Sequence, residues 1–177
     1  MKIFNKIFKK KGLVKNETIE ANKIIQIANM SAVTYYMPLL DEFPKLTIIS
    51  DSGLLDEFDS LVTLASVGTI MTQIPHSFND TETRKYISAI NIALLNWNDG
   101  SPKQVIEFGN YIKNLTEEKK INNVDELSQS IGTWIFLELY ENNPHNIEIE
   151  IFTNSPKLFF VLGSMITQTF SNYWKNY

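Results

Sequence analysis

The chain has no cysteine, two histidines and, in Arg84, one arginine among its 177 residues. Without cysteine there is no disulfide framework, no thiol nucleophile and no thiolate-ligated zinc or iron–sulfur centre. So little arginine removes the forked guanidinium donors that phosphate and nucleic-acid sites favour. Seven glycines and six prolines are too few for a linker-rich or low-complexity protein. No GxxxxGK[ST] or GxGxxG loop occurs to cradle a phosphate, and Asp51-Ser52-Gly53 lacks the ligand ladder of a calcium loop.

Candidate catalytic groups are equally thin. His76 lies in Ile74–Phe78 and His145 in Asn142–Asn146, both expected to be loops, and each reads as a solvated loop histidine. His76, Ser77 and Asp80 stand close in sequence, but adjacency is not triad geometry and Ser77 sits in no nucleophile elbow. Glu138 and Glu141 share a helix face at i, i+3, which is half of a carboxylate metal site. No Glu-x-x-His motif accompanies them, so they read as a surface acidic pair. No cofactor or metal is expected.

What is present is apolar mass and an uneven charge layout. Hydrophobic residues make up 44% and aromatics 12%, enough for one domain that buries roughly 70% of its unfolded surface. Residues 1–15 carry six lysines and no acid, whereas residues 16–177 carry ten basic and twenty acidic residues. The expected division is a basic N-terminal segment, 1–15, and a single acidic domain, 16–177. An acidic body repels nucleic acid at long range, so none is expected as a partner.

The N-terminal segment reads MKIFNKIFKKKG. On a helix, Met1, Ile3, Phe4, Ile7 and Phe8 fall within an arc of about 160°, opposite most of the lysines. No continuous apolar run follows, which argues against a signal peptide. The pattern suits docking on an anionic membrane surface through Lys2, Ile3, Phe4, Lys6, Ile7, Phe8, Lys9 and Lys10, or in a partner's acidic groove.

Beyond it, helical periodicity predicts a helix from about Glu17 to Met37, ended or kinked by Pro38. Others are expected from Leu54 to Gln73, after an Asn79/Glu82 capping box, from a Ser101 cap, from Val124 to Asn142, and from Ser155-Pro156 toward Trp174. Residues 60–79 hold no charge, but their threonines, serines and Gln73 suit a central buried helix better than a membrane span. Two stretches read as strands: β-branched Leu46–Ser50 and strictly alternating Ile147–Ile151. The expected fold is therefore mainly α, a bundle of about six helices with a two-stranded β ribbon pairing 46–50 with 147–151.

That ribbon would show Glu148 and Glu150 on one face as an acidic recognition edge. The build resembles, in composition and in no residue motif, small bacterial interaction proteins such as immunity proteins, antitoxins and adaptors. The leading expectation is a non-catalytic cytoplasmic module that neutralises a basic protein partner. The alternatives are a peripheral membrane protein held by residues 1–11, and a helical enzyme or ligand-binding domain near His76 or His145.

Overall fold

Six long helices carry the apolar residues in a computed structural model that describes residues 17–144 and 155–176. In chain order the helices are α1 (Glu17–Glu42), a short α2 (Thr47–Asp51), α3 (Leu55–Met71) and a single-turn α4 (Ile74–Ser77). They continue as α5 (Asp80–Trp97), α6 (Ser101–Glu117), α7 (Val124–Asn142) and α8 (Pro156–Phe170). Among the described residues there is no strand. None of the described helices is long and apolar enough to cross a membrane.

The centre of the bundle is α3, in which every residue from Leu61 to Ile70 is buried. A helix apolar all round belongs inside, yet the buried stretch of this one carries three hydroxyls. Each is satisfied within the helix: Thr63 donates to the Asp59 carbonyl at 2.7 Å, Ser66 to Val62 and Thr69 to Ala65, both at 2.8 Å. The missing Cβ of Gly68 leaves room for the Phe108 ring of α6. Helices α1, α6, α7 and α8 all pack against α3.

The closest pairing is α7 with α8. A Cβ on Gly132 would overlap the Phe159 carbonyl, and one on Gly163 would overlap that of Ser128. The two glycines therefore let the helix backbones touch, and Ser128 and Thr167 share a buried hydrogen bond of 2.8 Å beside the contact. Beyond α8, Trp174 lies in a 3-10 turn (Tyr173–Asn176), and its indole N–H donates to the Ile70 carbonyl at 2.9 Å.

The β ribbon is not supported. Pro44–Leu46 is a 3-10 turn and Thr47–Ser50 belongs to α2, because Leu46 and Ile49 are both buried at helical spacing. The Tyr36 hydroxyl also donates to the Leu46 carbonyl at 2.9 Å, so that group is used outside any ladder. Ile147–Ile151 lies outside the described residues. Pro38 does not end α1, which continues to Glu42. Its ring is exposed, and the buried Leu39 beyond it offsets the lost backbone bond.

Starts were read more accurately than that stop. The Asn79 side chain accepts from the amides of Thr81 and Glu82, and Asn123 accepts from that of Glu126. Ser101 is different. Gly100 precedes α6, and Ser101 is its buried first residue, making no capping bond.

Candidate functional site

The direction of each helix decides where its charges go. Asn143, the residue that caps the C-terminus of α7, donates to Glu57 of α3 at 2.9 Å, and Lys157 of α8 pairs with Glu42 of α1 at 2.6 Å. These contacts bring the C-terminal ends of α1 and α7 to the N-terminal ends of α3 and α8. Asn98 and Gln104 line a cleft with Asp56 and Glu57, which adds the α5–α6 turn to the same end.

Ten carboxylates collect there. Asp41 and Glu42 close α1, Asp51 closes α2, and Asp56, Glu57 and Asp59 open α3. Asp99 lies in the α5–α6 turn, Glu107 on α6, and Glu138 and Glu141 in the last turns of α7. The lysines at this end are Lys45, Lys103 and Lys157, and Lys103 already pairs with Glu107 at 3.3 Å. At the opposite end the charges nearly balance: Lys23 pairs with Glu20, Lys113 with Glu117 and Lys120 with Glu118.

Part of this acidity suits the helices. Asp56 and Glu57 stand in the first turn of α3, where the macrodipole is positive. The acids ending α1 and α7 stand where it is negative, and neither helix has a basic residue in its last turn. Those positions run against what helix stability favours.

Crowding shows in the protonation equilibria. Burial, reinforced by Asp56, pushes Asp59 up to about 6. Its Oδ1 is buried without a hydrogen-bond partner. Burial and then the charges of Glu141 and Glu107 raise Glu138. Between the opening of α3 and the α5–α6 turn is a cleft of about 290 Å³, walled by Asp56, Glu57, Ser60, Leu61 and Leu64. Its chemistry is that of an acceptor for positive charge.

The chain matches no known family. No curated protein and no solved structure matches it either.

Glu148 and Glu150, expected as a recognition edge, lie outside the described residues, as do Lys2, Ile3, Phe4, Lys6, Ile7, Phe8, Lys9 and Lys10. His145 is outside them too, while His76 is exposed on α4. The Ser77 hydroxyl donates to the Gln73 carbonyl at 3.0 Å. Glu138 and Glu141 are brought together as their spacing requires and are joined by Glu107. Among the described residues no group of three or more His, Asp and Glu side chains is placed to hold a metal ion. The acidic pole itself was missed, because its members, taken one helix at a time, read as caps and solvated faces. The available signal was acid without base in the last turns of α7, since the end of α1 past Pro38 was not legible.

Proposed function

We propose that the chain is a non-catalytic protein-binding module whose acidic pole takes a basic partner. The observation that carries this reading is the placing of Asp41, Glu42, Glu138 and Glu141 at helix C-termini. The helix dipoles disfavour carboxylates there and, among the described residues, only Glu42 has an ion pair, to Lys157, whereas a cationic partner gains from all four. The cleft beside Asp56 and Glu57 offers the partner a concave seat. Glu148 and Glu150 belong to the stretch between Pro144 and Ser155, whose flanks both lie at this pole. They extend the same reading.

The test is the binding of a lysine-rich helical peptide, followed by fluorescence anisotropy and stopped flow. Reversing Asp41, Glu138 and Glu141 to lysine should slow association by about tenfold at low salt, with the difference fading as salt rises. A control variant reverses Glu117, Glu118 and Asp125 at the other end and matches it in net charge. Equal loss in the two variants would mean that only net charge matters, and the pole would not be a site.

A further inference from the structure

An apolar row stands exposed among the described residues, and the sequence supplies a second apolar stripe that could cover it. The row lies on α1, where Met30, Val33 and Met37 are 61%, 57% and 59% exposed. Their spacing of three and four residues makes them one row along the helix. The row continues a wall of the groove between α1 and α5. There Asn22, Gln26 and Asn29 face Ala93, Asn96 and Trp97 across a cleft of about 260 Å³. Ile92, one turn before Asn96 on α5, is 54% exposed. The stripe is the set Ile3, Phe4, Ile7 and Phe8, which helical spacing would align and which precedes α1 in the sequence.

We infer that residues 1–11 dock as a helix along this groove, antiparallel to α1. The dimensions agree. Eleven helical residues span about 16 Å, the same length as the row from Gln26 to Met37. Gly12–Asn16, fully extended, reach about 17 Å, against the roughly 14 Å from Glu17 along α1 to Gln26. The charges agree as well. This orientation sets Lys2 and the positive end of the docked helix beside Asp41, one turn beyond Met37, at the edge of the acidic pole. Docking is intramolecular, so a weak apolar contact acts at a high effective concentration.

Because the chain has no cysteine, cross-linking can read the contact directly. Ile7→Cys combined with Met30→Cys should oxidise to an intrachain disulfide about tenfold faster than Ile7→Cys combined with Ile106→Cys, which is exposed on α6. Adding Val33→Lys and Met37→Lys, both at exposed positions, should reduce the fast pair to the control rate. Equal rates for the two pairs overturn the inference. So does a cross-link that appears only in dimers, which would make a second copy the occupant. Flotation of the full chain on anionic phospholipid vesicles at low salt, lost on deleting residues 1–12, also overturns it and assigns the stripe to lipid. None of these measurements involves a basic partner, so their failure leaves the reading of the acidic pole untouched.

Discussion

Asp59 shows what the acidic pole costs the fold. Its carboxyl titrates near 6 rather than 3.8 because it is half-buried and faces Asp56, so ionisation is disfavoured in the folded state relative to the unfolded one. The penalty is fully present above about pH 6 and is relieved as pH falls from 6 toward 3.8. Asp59→Asn should therefore stabilise the protein at neutral pH by on the order of 1 kcal/mol, once solvent screening is allowed for. The gain should vanish near pH 4. Urea unfolding of both proteins across this range is the measurement, and a gain independent of pH would mean that charge is not its cause. None of this was legible in the sequence, where Asp59 reads as one more acid favouring a helix start. Its lack of a partner depends on what α1 and the rest of the bundle bring beside it.

At the scale of elements, identical substitutions should have opposite signs. Gly132→Ala and Gly163→Ala each push a methyl into the backbone of the partner helix, so each should destabilise by about 1–3 kcal/mol or more. Gly109 lies inside α6, and a methyl there would have no neighbour within 4 Å. Gly109→Ala should stabilise by about 0.5–1 kcal/mol through helix propensity alone. Thermal melts of the three variants decide it, and a stabilised Gly132→Ala protein would show that the α7–α8 contact is looser than described. The sequence shows all three as glycine within a helical pattern. Only helix packing tells them apart. The misread strand has the same origin, since Leu46-Thr47-Ile48-Ile49 has strand propensity but supplies buried residues at positions 46 and 49, which one helical turn places together. Propensity is a weak prior, and burial overrides it.

For the whole molecule, the like charges of the pole repel, so the protein should become more stable as sodium chloride rises from low to physiological concentration. Replacing Asp56 with Asn and Glu138 with Gln should flatten that dependence. A wild-type unfolding midpoint that falls with salt would mean that ion pairs such as Lys157–Glu42 outweigh the repulsion. The net acidity of residues 16–177, the six long helices, two of the helix caps and the buried character of α3 followed from composition, period and local hydrogen-bonding chemistry. These properties are set within a few turns of chain. The pole and the groove along α1 were decided only by the tertiary structure. They depend on which helix ends meet, and on α5 ending at Trp97 while α1 runs on to Glu42. Such juxtapositions arise from packing between residues far apart in sequence, and no local pattern encodes them.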